Sequence, residues 1–219
     1  MTPDELRVAG FLDPRRALGF FEELPGGAEV WAADLGASAD PDLALLAAIR
    51  LHEADPGLVR GLVDDAAARR RVCAVLGGSQ WLGDYIIADP ARARATWEDP
   101  GEAARVMLAS VGATRGERGV FVASEDARVD DLRGAYRRVL LYLAADDLTS
   151  DDPEGLMPKV GRRIADLVDA TLEAGLALAR RDIDPRGLIP LAIIAMGKTG
   201  ARELNYISDV DVVYVAEAG

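Results

Sequence analysis

A chain of 219 residues, half of them hydrophobic, is long enough to bury a real core as one large domain or two small ones. Asp and Glu outnumber Lys and Arg by 37 to 25, and the formal charge of −12 argues against a surface built to neutralise nucleic-acid phosphates. A single cysteine, Cys73, excludes an internal disulfide framework, and no stretch approaches the roughly 20 apolar residues needed to cross a bilayer.

The opening MTPDELRVAG has no basic region followed by an apolar run, so the cytoplasm is the expected compartment. From residue 1 to about 185 nearly every segment reads as helix, broken by Pro, Gly and Asp. DPRRALGFFEEL and DPDLALLAAIRLHEA are amphipathic, and either Asp40 or Asp42 can cap the second. In DPGLVRGLVDDAAARRRVCAVLGG the residues Leu58, Val59, Leu62, Val63, Ala66, Val72, Val75 and Leu76 recur at helical spacing. Gly77 suits the stop of that helix, Cys73 reads as a buried inert thiol, and Ser79 can cap the next helix, QWLGDYIIADP.

Beyond the Gly-rich, charged piece GATRGERGVFVASED come two longer helices, DDLRGAYRRVLLYLAADDL and MPKVGRRIADLVDATLEAGLALARRD. Ile164, Leu167, Val168, Thr171, Leu172 and Gly175 share a face of the last. At IDPRGLIP the character changes, because Pro185, Gly187 and Pro190 interrupt helix and introduce LAIIAM, an apolar run of strand length. The loop GKTGARELNYIS leads to a second run, DVDVVYVA. Both runs read as buried strands, and two strands are too few for a stable sheet, so the chain reads as part of something longer. The expected organisation is a helical region over 1–185 followed at 186–219 by the start of an α/β domain.

Several signals are weaker than they look. Gly197, Lys198 and Thr199 suggest a P-loop, but Ala192 stands where that motif needs its first glycine. His52, the one histidine, falls near a helix end, and Trp31, Trp81 and Trp97 are spread through helical segments with no basic interleaving, which reads as packing.

The acids of DVDVVYVA are harder to dismiss. On a strand, Asp209 and Asp211 would point to one face with their Cα atoms about 6.6 Å apart, repelling by about 2.5 kcal/mol at an effective dielectric near 20. Asp is disfavoured within strands, and such a pair suits Mg²⁺ or Mn²⁺. An exposed strand face with two solvated acids accounts for a bare Asp-x-Asp equally well. The context adds Gly197, which permits close backbone approach, and Ser208, which can donate a hydrogen bond to a phosphate oxygen.

The stretch AMGKTGARELNYISDVDVVYV closely resembles the glutamine synthetase adenylyltransferases, whose pattern Gly-Lys-x-Gly-x-x-Glu-Leu-Asn-Tyr-x-Ser-Asp-x-Asp is carried by Gly197, Lys198, Gly200, Glu203, Leu204, Asn205, Tyr206, Ser208, Asp209 and Asp211. LGGSQWLGDYIIADP and LRGAYRRVLLYLAADDL are similar to upstream helices of that family, although Tyr142 and Asp146 stand where many members carry arginines. The resemblance implies a mainly α fold: a helical region followed by the first strands of a nucleotidyltransferase-like α/β domain. It implies the adenylyl-removing half of a bifunctional enzyme, in which phosphate releases AMP as ADP from a tyrosine of glutamine synthetase, while a further domain would add AMP from ATP. Asp209 and Asp211 would then be catalytic and hold Mg²⁺ or Mn²⁺; Gly197, Lys198 and Ser208 would touch the nucleotide phosphates, and Glu203 and Asn205 would order the loop. A third carboxylate is expected from a strand beyond residue 219, so the fragment by itself is expected to be inactive. Glutamine synthetase is the implied partner and a PII signalling protein a further one; neither nucleic acid nor a membrane is expected. Two alternatives stay open: a helical docking or regulatory module without activity of its own, and a nucleotidyltransferase with another substrate.

Overall fold

The computed structural model describes residues 1–116 and 118–217. The fold is mainly α with a few short strands, as the spacing of apolar residues predicts. The chain folds as two compact units, Met1–Asp99 with Ala144–Pro153, and Pro100–Leu143 with the residues from Glu154 onward. The change near residue 185 is therefore one of character, from helix to strand, and the strands that follow it share a unit with helices that precede it.

In the first unit the helices are α1 (Pro3–Val8), α2 (Pro14–Phe21), α3 (Gly27–Gly36), α4 (Pro41–Ala54), α5 (Pro56–Asp64), α6 (Ala66–Gly78) and α7 (Gln80–Ile87), followed by a 3₁₀ segment, Pro90–Thr96. Aspartates start many of them. Asp13, Asp40, Asp55 and Asp65 each accept a hydrogen bond from a backbone N–H of the first turn, and in α2, α4 and α5 a proline follows, whose missing N–H needs no partner there. Asp40 is the cap of α4; Asp42 instead accepts from the Leu12 N–H at 2.9 Å, tying the α1–α2 turn to that helix. The stretch 56–78 is two helices, because Asp65 caps a new start through Ala68 N–H, and Ala66 is exposed at its first position. Ser79 caps α7 by accepting from Leu82 N–H at 3.3 Å.

The core of this unit is built on Leu6, Phe11, Phe21, Trp31, Leu35, Leu45, Leu51, Leu76 and Ile86, all essentially inaccessible. Phe11 and Phe21 meet edge to face with centroids 5.6 Å apart, the arrangement ring quadrupoles favour. Trp31 is buried, with its indole N–H donating to the Pro25 carbonyl at 2.8 Å. Trp81 departs from the expected packing role: it is 54 % exposed and stacks flat on Tyr85 one helical turn along. Gly77 does not end its helix. It lies buried one residue inside the end of α6, where the chain from Ser38 to Asp40 passes too close for a side chain.

The second unit contains α8 (Ala103–Ser110), the minimal strands β1 (Thr114–Arg115) and β2 (Phe121–Val122), α9 (Val129–Leu148, whose last turn belongs to the first unit), the long α10 (Pro153–Ile183), β3 (Leu191–Ala195), α11 (Gly197–Ala201) and β4 (Val212–Ala216). Its core joins Met107 and Val111, Leu132 and Val139, Ile164, Leu167 and Ala174, and Leu204. The β1–β2 hairpin was hidden in the charged piece before α9, because two-residue strands leave no period to read. Ala123, just after β2, donates to the Ala177 carbonyl of α10 at 3.1 Å.

β3 and β4 pair antiparallel with Leu191 opposite Ala216 and Ala195 opposite Val212. The expectation that they are buried is corrected here. Ile194, Val213, Tyr214 and Val215 are 47–63 % exposed, since a two-stranded ribbon has neither flanking strands nor layers enough to cover an all-apolar pair. No helix of the described residues is long and apolar enough to cross a membrane.

Candidate functional site

The site predicted from sequence lies at the end of the β3–β4 ribbon. β3 runs out at Ala195, and Met196 adds one more rung by donating its N–H to the Asp211 carbonyl at 2.9 Å. Gly197 then turns the backbone with φ +54°, in the left-handed region that favours glycine, and opens α11. Past that rung the returning chain has no partner strand, and β4 proper begins at Val212. Asp209 and Asp211 are therefore loop residues just before β4, not strand residues, which corrects the alternation argument. Both are exposed, so water screens the repulsion that a shared strand face would have made costly.

Gly197 and Asp211 are brought together. A Cβ on Gly197 would sit 3.6 Å from Asp211 Oδ2, with only that atom within 4 Å. Lys198, exposed on α11, follows directly. Ser208 is used within its own loop: its hydroxyl donates to Asn205 Oδ1 at 2.7 Å, and the same oxygen accepts from Ile207 N–H at 3.1 Å. This Asx turn is the loop-ordering role expected for Asn205. Among the described residues no group of three or more His, Cys, Asp or Glu side chains gathers as a metal site.

Residues that sequence reasoning passed over hold this loop down. Arg202 ends α11 and pairs with Asp166, and its second guanidinium nitrogen lies 3.8 Å from Asp169 Oδ2. Burial raises the Asp169 carboxyl above the usual range, against the pull of Arg202. Leu204, 3 % exposed, plugs into the core of the unit. The acids Asp166 and Asp169, spaced i, i+3 on α10, were the available signal for a basic partner such as Arg202. Tyr142, one of the two departures from the family pattern, lies under the Arg163 guanidinium at 5.8 Å; Asp146, the other, pairs with Arg71 at 3.4 Å. Between α10 and β3 lies a cavity of about 350 Å³ lined by Asp169, Glu173 and Arg180 of α10 and by Leu191, Ala192, Ile193 and Ala195 of β3; none of the five predicted site residues lines it. His52, on α4, keeps a buried Nδ1 without a hydrogen-bond partner among the described residues.

The comparisons with known proteins agree with the motif. Residues 69–219 match the family model described as glutamate–ammonia ligase adenylyltransferase. The chain belongs to that family. It is 40 % identical over 193 residues to a bifunctional glutamine synthetase adenylyltransferase/adenylyl-removing enzyme of Cutibacterium acnes, covering 85 % of this chain and 20 % of the relative. Proteins of the same description from Bifidobacterium longum (strain DJO10A) and Mycolicibacterium smegmatis are 34 % and 41 % identical, over 97 % and 84 % of this chain and 22 % and 19 % of their own. This adenylyltransferase-family chain thus spans about a fifth of the length of the curated relatives it matches. No solved structure matches it significantly.

Proposed function

We propose that this chain supplies part of a site that removes AMP from adenylylated glutamine synthetase by phosphorolysis. An oxygen of orthophosphate attacks the adenylyl phosphorus, the bond from phosphorus to the tyrosine oxygen breaks, the phenolate takes up a proton, and ADP leaves. The observation that carries the reading is the meeting of the two ends of the motif, with Gly197 beside the Asp211 carboxylate.

Asp209 and Asp211 present exposed carboxylate oxygens at the mouth of the ribbon, a hard donor set that suits Mg²⁺ or Mn²⁺, and these two residues would hold the ion. When bound, the cation supplies Lewis-acid stabilisation of charge on the phosphoryl oxygens. Gly197 leaves room for a phosphate to approach the backbone, and Lys198 offers an exposed cation beside it. Asn205 and Ser208 keep the loop in its turn, and Ser208 retains lone pairs to orient water or substrate. Glutamine synthetase would be the substrate protein, and a PII signalling protein a regulatory partner.

The test is to incubate the intact protein with AMP-modified glutamine synthetase and orthophosphate and to follow ADP. Asp209→Asn with Asp211→Asn should abolish ADP formation; an undiminished rate in that variant sinks the proposal. Activity only toward a different nucleotidylated acceptor would make it a nucleotidyltransferase of another substrate.

A further inference from the structure

Arg202 is the one non-glycine residue with positive φ among the described residues, at +60°. Its position as the last cap of α11 reverses the chain, sending Leu204 into the core beside α10. The approach is close: a Cβ on Gly161 of α10 would lie 3.4 Å from the Leu204 carbonyl oxygen and 3.6 Å from Glu203 Cα. One to two turns further along α10, Asp166 and Asp169 meet the Arg202 guanidinium from the same helix face. From there the chain has only the Asx turn of Asn205 before it reaches Asp209 and Asp211.

We propose that Arg202, gripped by Asp166 and Asp169, is a positioning residue for the acidic pair, fixing the segment 203–211 on α10 so that Asp211 comes to rest beside Gly197. What the positioned acids do rests on the function proposed above; the anchoring itself does not. The arginine's left-handed backbone costs free energy that glycine would not, so its side chain rather than its backbone is what the position uses. The three side chains are each about half exposed, which limits the grip to the modest strength of surface ion pairs.

The experiment compares the chain with Arg202→Gly, Arg202→Lys and Asp209→Asn/Asp211→Asn variants, by hydrogen exchange and by Mn²⁺ titration followed by electron paramagnetic resonance. Arg202→Gly relaxes the turn but removes the guanidinium. It should speed exchange at the amides of Glu203, Ile207 and Ser208 by about fivefold, leave the α10 core amides unchanged and weaken Mn²⁺ binding by a similar factor. Arg202→Lys should fall between it and the unaltered chain. Wild-type exchange in Arg202→Gly overturns the proposal, because the backbone turn alone would then hold the loop. Faster exchange with unchanged Mn²⁺ affinity overturns it as well, since the acids would not depend on the anchor. Failure of the unaltered chain to bind Mn²⁺ any better than the double Asp variant overturns the assignment of Asp209 and Asp211 as holders of the ion instead, and the exchange comparison still decides the anchoring.

Discussion

Gly197 and Asp211 sit side by side at the end of the β3–β4 ribbon, the glycine at φ +54° and the Asp211 carboxylate oxygen 3.6 Å from where its Cβ would be. That separation is an ordinary contact, so an added methyl is not excluded by collision. The conformation is the obstacle, since a side-chain-bearing residue held left-handed costs about 1 kcal/mol. Gly197→Ala is expected to lower stability in urea by about that amount. A Gly197→Asn variant, whose side chain tolerates the left-handed region better, should recover part of the loss. Equal losses in both would show that space, not backbone conformation, sets the requirement.

Much of the fold was legible because its helix starts are chemically explicit: Asp13, Asp40 and Asp55 each stand before a proline, and Ser79 before an apolar turn. The strands were legible as apolar runs, but their burial was not, because an apolar composition says what a strand would cover and not whether anything covers it. For the site, the residue types were visible and their placement was not. The start of β4 depends on where β3 runs out, and that is decided by Gly197, far upstream of Val212 in the chain. The backbone conformation of Arg202 was illegible for a plainer reason: arginine gives no hint of a left-handed cap, which glycine or asparagine would have signalled.

Two helical glycines should respond to the same substitution with opposite signs. Gly61 in α5 is exposed, with nothing within 4 Å of a built Cβ, so Gly61→Ala should stabilise by about 0.5–1 kcal/mol through reduced unfolded-chain entropy. A Cβ on Gly77 would lie 2.6 Å from Ser38 Cβ and 2.8 Å from the Asp40 carbonyl oxygen. The latter is backbone, and Asp40 N–H in turn donates to the Gly77 carbonyl at 3.1 Å, so neither segment can move without giving up that bond. Gly77→Ala is therefore expected to destabilise by about 1–3 kcal/mol despite its better helix propensity. Urea midpoints that shift in the same direction for both would contradict the close approach.

Asp184 fixes the turn that leads into β3. Its two carboxylate oxygens accept from Leu188 N–H at 2.8 Å and Ile189 N–H at 2.9 Å, and these bonds hold its carboxyl below the usual range. A native pKa below the unfolded one means stability that is present above the ordinary carboxylate range and is lost as the pH falls through the native value. Asp184→Asn keeps the size but not the charge. Its stability deficit relative to the unaltered chain should be largest near pH 7 and shrink as acid protonates Asp184 in the reference. Other carboxylates titrate in both proteins, so the difference between the two urea curves isolates this one; a deficit that stays constant down to pH 3 would rule out the charge as its source.

Cys73 offers a built-in reporter of the first unit. It is fully buried on α6, and burial first, with the nearby Asp34 carboxylate second, pushes its thiol well above the range of a free cysteine. The thiolate is the reactive form, so the folded chain should be nearly inert to iodoacetamide at pH 8. Because this is the chain's one cysteine, every labelled molecule reports an opening of that core. Labelling should accelerate with urea in parallel with the loss of helix signal, and Gly77→Ala, one turn away on the same helix, should speed it in the absence of urea. Labelling of the native chain at the rate of an unstructured cysteine peptide would show that α6 does not shield its thiol as the packing requires.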